Sequence, residues 1–490
     1  MNSNLTRRNL FHAAAGGLAL TSLAPRTLFG AERAEVIVLG AGLAGLNAAS
    51  ILSGLGARVL VLEAQQRVGG RCHTPELADL QDYGIEFGAS QVGTQYARVL
   101  DTCERLGIEL GEGAHIVAPY CFSIGGSLVT PEQWPTSPLN KTVGEEREVL
   151  PTALTGYFFS KHTPFTQLDD WLEPWAAEHD IPMAEWLRRA GASDEVLRLT
   201  NEGLISPSIH DLSAIRSLQE HIRANTQAED TGDAATQDIF DRASRAALHI
   251  KGGTQRLPEA MAAELGDAVR LGEQAARIDM HDRGVTVTTM NGARYSGDFV
   301  VSALPFTALR RVTITPALGG AQAQAVREMP YANNSQLFFR LKGEPYWEKD
   351  GLPASMWSDG PLSLVRQQIG NAGEREVLEV LGLGYKGDRI DQMDDDDRVA
   401  FVIRELERMR PSLAGSLELL AVNSWRRLPW INGCSHSYHP GQASRWAVDM
   451  IKPHARLHFA GEHTRRLEIG MESAMESGER AALEILERTG

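Results

Sequence analysis

Three glycines and a glutamate carry the first chemistry of this chain. Gly40, Gly42 and Gly45 stand in the order Gly-x-Gly-x-x-Gly, and Glu63 follows downstream. Glycines at that spacing let a backbone turn tightly and approach a pyrophosphate, while a carboxylate beyond them accepts hydrogen bonds from a ribose diol. Directly after Glu63 comes Arg67-Val68-Gly69-Gly70-Arg71, a second glycine pair between two guanidinium groups. It would meet the same diphosphate from its other side, and Arg71 would add a charge.

These residues need a βαβ unit to position them, and the flanking sequence supplies one. Glu35-Val-Ile-Val-Leu39 reads as an apolar strand, and the glycines open a helix rich in Ala and Leu. Arg58-Val-Leu-Val-Leu62 reads as a second strand that delivers Glu63. Gly40 allows the turn, Gly42 the close approach, and Gly45 the packing of helix on strand. The helix N-terminus, with about half a positive charge and unpaired N–H groups, attracts phosphate. A plain NAD domain has no need of the second glycine pair, so the pattern points to a flavin dinucleotide.

Six later blocks extend the unit. Lys251-Gly-Gly-Thr-Gln-Arg-Leu257 opens a helical stretch. Gly284–Thr289 and Arg294–Asp298 alternate as strands, and Phe299–Pro305 is a buried strand ending in a proline turn. Leu457-His-Phe-Ala-Gly461-Glu462-His463 is another strand and turn, and Gly470-Met471-Glu472 begins a C-terminal helix. In this order the blocks resemble the flavin amine oxidases: monoamine, polyamine and L-amino acid oxidases. The N-terminal blocks alone are shared with phytoene desaturases and protoporphyrinogen oxidases; the C-terminal block is more specific.

The resemblance implies an α/β fold: a discontinuous Rossmann-type FAD-binding domain from residues 34–91, 251–310 and 452–490, and an α+β substrate domain from 92–250 and 311–451. It implies FAD as cofactor. Gly40, Gly42, Ala44, Gly45, Glu63, Ala64, Gly70 and Arg71 would surround adenosine and diphosphate, and Ala275, within Gly272–Ile278, would face the adenine. Gly461 and Glu462 would approach the diphosphate and ribitol. The helix from Gly470 and Met471 would aim its N-terminus at the flavin edge that gains negative charge on reduction.

Three departures bear on the substrate. The family's flavin lysine stands ten residues before the Trp of a Pro-aromatic-Trp element. Here that element is Pro345-Tyr346-Trp347, so the position is Leu337, with Gln336 beside it. The two facing tyrosines of the monoamine oxidases become Ser435 and Gly470, with Trp430 or Tyr438 as substitutes. The turn Phe87–Val92 lacks the arginine that clamps a carboxylate in L-amino acid oxidases, leaving Arg340, Arg366 or Arg426 for that task. Gln91, Leu337, Ser435 and Gly470 are the expected wall opposite the flavin. Cys434, after Gly433, keeps the place of the cysteine bonded to the flavin in monoamine oxidases; a covalent link and a small buried packing residue both stay open.

Length and charge bound the rest. A chain of 490 residues exceeds one ordinary core. A net charge of −15 argues against nucleic acid and anionic lipid as partners. Asp394–Asp397 suits the start of a helix. Thr6-Arg7-Arg8-Asn9-Leu10-Phe11 before a weakly apolar run resembles a twin-arginine export signal over residues 1–30, which implies a periplasmic enzyme with the signal cleaved or retained. That run is too short to span a bilayer stably. Cys72, Cys103, Cys121 and Cys434 form no CxxC pair, and Cys434, His436 and His439 lack a fourth ligand, so no metal is expected.

The expected activity is oxidation of an amine C–N bond to an imine that water hydrolyses, by hydride transfer to flavin N5, with oxygen as acceptor giving hydrogen peroxide. The alternatives are a dehydrogenase of the same fold serving a periplasmic cytochrome, an L-amino acid oxidase and, further off, a desaturase. The substrate is a small amine or amino acid, and a homodimer is an open expectation.

Overall fold

The computed structural model describes residues 32–77, 80, 84–113, 119–203, 208–231, 247–370 and 373–489. The proposed export signal lies outside them. Val36–Leu39 is buried at every position, which fits the central strand of a parallel sheet covered on both faces. That sheet has five strands in the order Leu457–Phe459, Phe299–Ser302, Val36–Leu39, Val59–Glu63 and Val269–Leu271, all parallel. Three distant stretches of chain thus build one sheet, and their carboxyl ends bring the glycine turn, Glu63 and the Gly461 turn to one edge.

The helix Leu43–Gly54 lies against the C-terminal helix Gly470–Thr489. Gly478 permits their close approach, since a Cβ there would stand 2.3 Å from the Ala44 carbonyl oxygen; Gly45 instead seats the first helix on the strand turn, where a Cβ would stand 2.0 Å from the Gly40 carbonyl oxygen. Asn47 Nδ2 donates to the Met475 carbonyl at 2.8 Å and locks the pair in register.

A second sheet of five strands, from Glu32–Arg33 to Thr313–Thr315, carries Ala275–His281 and Gly284–Thr289. The largest sheet has seven strands and runs from Leu417–Ser424 through Asn334–Leu341 to Ser127–Val129. Helix Asp395–Met409 packs on it, with Asp394 at its N-cap and Asp395, Asp396 and Asp397 in its first turn, as the acidic run implied. Asp170–Leu172 and Pro174–His179 are short 3-10 turns, separated where Pro174 interrupts the backbone ladder. Phe165, Trp171 and Trp186 are core residues. All four cysteines are unpaired. Among the described residues no helix is long and apolar enough to cross a membrane.

Candidate active site

The glycine turn is built as a receptor. Gly40 takes φ 98°, a conformation side chains resist. Gly42 is extended (φ −83°, ψ 176°) and caps the helix Leu43–Gly54. The nearest atom to a Cβ on Gly42 would be the Gly69 carbonyl oxygen at 4.0 Å, so this side of the turn is open. Gly42 bridges to Gly69, and the Gly69 amide donates to the Ala41 carbonyl at 2.8 Å. Glu63 is buried; its Oε2 accepts from the Ala41 amide at 2.8 Å and its Oε1 from the Gln65 amide at 2.9 Å. Burial raises its carboxyl pKa against those bonds. The Glu273 amide donates to the Glu63 carbonyl at 2.8 Å, so the segment leading to Ala275 runs beside this carboxylate. Arg67 is no solvated arginine: it forks onto the carbonyls of Val68, Gly70 and Cys72 and pins the second glycine pair.

Residues far apart in the chain then close the site. Arg71 Nη1 donates to the Cys434 carbonyl at 2.6 Å and pairs with Glu462 at 3.3 Å. Glu462 also meets His436 Nδ1 at 3.0 Å. Burial opposes the charge of Glu462, but the His436 N–H, Arg71 and Arg216 outweigh it and hold the carboxyl well below the usual range. Gly461 takes φ 124° and donates its amide to Ser477 Oγ at 2.8 Å, tying the turn to the C-terminal helix with Met471. Trp425 donates to the Phe87 carbonyl at 2.7 Å. Burial pushes the Cys434 thiol up, which keeps it protonated.

Of the four expected wall residues, Leu337 is placed elsewhere. Strand alternation sends it into the core beside Val365 and Val380. Gln336 takes the cleft side, donating to Glu379 Oε1 at 3.0 Å and accepting from Asn423 at 2.8 Å. Gln336, Gln91, Ser90, Glu86, Arg366 and Glu379 line a cavity of about 60 Å³. Ser435 accepts instead from Arg216 Nη2 at 2.9 Å. Gly470 lies under Tyr96: a Cβ there would stand 2.9 Å from the phenol oxygen. Arg366 is bound to Glu379 at 2.7 Å, and Arg426 pairs with Asp388 at 3.2 Å. Arg340 keeps a buried Nε without a hydrogen-bond partner among the described residues. Tyr438 is buried, and Trp430 is half-buried. The sequence reading missed Arg216, Glu220 and Arg465. The spacing of Arg216, Glu220 and Arg223 on one helix face was the available signal.

The buried imidazoles set an acid limit. Burial pushes His73 and His436 down to about 4, and His463 further. Unfolded imidazoles titrate near about 6.5. Stability from these groups is complete above that pH and is lost as pH falls toward 4, because the unfolded chain then takes protons the fold refuses. Glu86, pushed up to about 7 by burial, works in the opposite direction, as do the raised carboxyls of Glu63 and Glu468, while His179, also lowered, adds to the imidazoles. The melting temperature is therefore expected to drop steadily between about pH 6.5 and 4, with a shallower slope in His73→Gln. A flat profile would contradict the assignment.

The family model for flavin containing amine oxidoreductases matches residues 43–486, nearly the whole described chain. The chain belongs to that family. This amine oxidoreductase is 26% identical to human flavin-containing amine oxidase B, covering 94% of this chain and 87% of the relative. It is equally 26% identical to the flavin-dependent L-tryptophan oxidase of Lentzea aerocolonigenes, covering 90% and 96%. Its fold is the two-domain fold of putrescine oxidase bound to putrescine (TM-score 0.76, 22% identity, 93% and 99% covered). Cyclohexylamine oxidase from Brevibacterium oxydans shares it (TM-score 0.74, 20% identity, 93% and 99% covered). The oxidoreductase is an FAD enzyme, and the residues present fit that cofactor. Gly42 leaves space that a Cβ would fill. A Cβ on Gly70 would stand 3.6 Å from the Gly42 Cα, and the next residue, Arg71, brings a guanidinium held at 3.3 Å by Glu462.

Proposed function

We propose that this enzyme oxidises the C–N bond of a small amine to an imine, which water hydrolyses to a carbonyl compound. The observation that supports it most is that the Gly42–Gly69 turn, which is tied to Glu63 through Ala41, leads directly into Arg71, which meets Cys434 and Glu462 from far along a chain of this family. In this reading Glu63 takes the adenosine ribose, Gly42 and Gly70 admit the diphosphate, and Glu462 fixes Arg71 beside it. FAD, once bound, accepts the hydride equivalent at N5. The protein's part is to orient the neutral amine, exclude water and hold the charges around the ring. Anaerobic mixing with amines, followed by the loss of flavin absorbance, tests the reading; a flavin that no amine or amino acid reduces would overturn it.

Oxygen is the acceptor we propose, with hydrogen peroxide as product. A dehydrogenase passing electrons to a cytochrome is the second reading, favoured by Gln336. The cleft face of the Asn334–Leu341 strand offers no lysine, only Asn334, Gln336, Phe338 and Arg340. On that second reading reoxidation by air is slow and Gln336→Lys speeds it about tenfold or more, whereas on the oxygen reading the wild type already reoxidises at the rate of turnover. Leu337→Lys would instead bury a charge in the core and cost several kcal/mol. Stopped-flow reoxidation after anaerobic reduction separates these outcomes. Wild-type reoxidation as fast as turnover would remove the dehydrogenase.

A further inference from the structure

The cavity of about 60 Å³ beside Gln336 is polar throughout. Every side chain that the described residues present to it carries nitrogen or oxygen, and the remaining lining positions are Gly84 and Gly88. At about 10–15 Å³ of such space per water, it holds on the order of four waters. Its floor adjoins the loop that we place at the cofactor. The Ala89 amide donates to the Arg71 carbonyl at 3.1 Å, and a Cβ on Gly88 would stand 1.8 Å from that carbonyl oxygen. Asn334 and Gln336 reach the cavity from one face of the Asn334–Leu341 strand, two residues apart.

The charged groups there are already engaged. Glu379 accepts from Arg366 Nε at 2.9 Å, from Gln336 Nε2 at 3.0 Å and from Gln368 Nε2 at 2.8 Å. Glu86 accepts from the Thr254 amide at 2.6 Å, the Thr254 hydroxyl at 2.9 Å and the Thr74 hydroxyl at 2.9 Å. Burial pushes the Glu86 carboxyl up to about 7, so near neutral pH it is in part uncharged. An ammonium end would compete with these donors for carboxylate oxygens. A carboxylate end would meet two carboxyl groups and one guanidinium that is already paired. The neutral groups are less settled. Asn334 Oδ1 is buried without a hydrogen-bond partner among the described residues. Ser90 and Gln91 add a hydroxyl and an amide, each able to donate and to accept. A hydrocarbon end would displace water from these groups and leave them unpaired.

We propose that the substrate is an amine whose far end carries a neutral hydrogen-bonding group, a hydroxyl or a carboxamide, and that Asn334, Gln91 and Ser90 receive this group in the cavity. The proposal rests on the amine-oxidising reading above. A hydroxyl or carboxamide brings the donor that Asn334 Oδ1 lacks, and an acceptor for the Gln91 amide and the Ser90 hydroxyl. A site built in this way rejects a ligand without the polar group, because its own buried groups then stay unpaired.

The test uses the FAD-loaded enzyme under anaerobic conditions, with the rate of flavin bleaching as readout. The probes are primary amines on propyl, butyl and pentyl chains that end in a hydroxyl, a carboxamide, a methyl, an ammonium or a carboxylate group. 2-Phenylethylamine and L-phenylalanine are the controls. At one chain length or more, the hydroxyl or carboxamide probe is expected to bleach the flavin at least about tenfold faster than the methyl, ammonium and carboxylate probes. Asn334→Leu is expected to slow that probe at least about tenfold and to leave the methyl probe no slower, a change of ratio that a merely structural role would not produce. If the methyl probe matches the neutral polar ones at every length, or a charged end is fastest, the proposal fails and the amine-oxidising reading stands. The same holds if the controls alone bleach the flavin. If nothing bleaches it, both fail. An Asn334→Leu enzyme that slows all probes alike, or keeps the wild-type order, also overturns the proposal. Should that variant not retain FAD, the wild-type order of rates decides alone.

Discussion

Gly42→Ala is expected to leave the apoprotein's stability nearly unchanged and to weaken FAD binding about ten- to hundredfold. The backbone at Gly42 is extended, which alanine adopts freely, and the nearest atom to the new Cβ lies 4.0 Å away. The methyl group would nevertheless enter the space between Gly42 and the Gly69–Gly70 turn, where we place the diphosphate. Forcing a methyl into a filled contact costs about 1–3 kcal/mol, which corresponds to that loss of affinity. Gly45→Ala provides the contrast. Its Cβ would meet the Gly40 carbonyl at 2.0 Å, so the fold itself should suffer. Unfolding midpoints of the two apoproteins and FAD titrations separate the cases. Equal FAD affinity in Gly42→Ala and wild type would remove the diphosphate from this turn.

Glu462→Ala is expected to have the largest effect on stability. Its carboxylate is the shared partner of Arg71 and His436 and lies in the field of Arg216. Deleting it leaves the Arg71 guanidinium with the Cys434 carbonyl as its remaining hydrogen-bond acceptor among the described residues. Breaking one side of a buried pair costs about 3–5 kcal/mol, because the remaining charge stays desolvated. Glu462→Gln keeps an acceptor for the His436 N–H and should cost less, yet it loses the charge that fixes Arg71. Denaturant midpoints are expected to fall in the order wild type, Gln, Ala, with FAD released in the same order. A Glu462→Ala protein as stable as the wild type would contradict this network.

The glycine turn was legible because its determinants are local. Gly40, Gly42, Gly45 and Glu63 sit within one βαβ unit, where strand and helix periods fix their direction. Leu337 was misplaced for a related reason. Counting back from Trp347 crosses the turn at Gly343 (φ 79°), whose length no strand period governs, and a single step moves a side chain to the other face. Tyr96 over Gly470 and Arg216 on Ser435 were invisible in the sequence. The latter pair is separated by 219 residues, and only the packing of the Ala214–Thr231 helix on the Ser435–His436 strand brings it together. The role of Arg67 as the clamp of its own loop was not legible either, because it depends on the Gly69–Gly70 turn leaving carbonyls within its reach.

The central claim is that this family fold oxidises amines through FAD bound at the Gly42–Glu63–Arg71 site. Anaerobic titration of the purified yellow enzyme with amines and amino acids, monitored by flavin absorbance, tests it most directly. The account predicts bleaching by at least one amine-bearing compound, release of the matching carbonyl product and recovery of colour on admitting an acceptor. A protein purified without flavin that takes up none, or a bound flavin that no amine or amino acid bleaches, would contradict it.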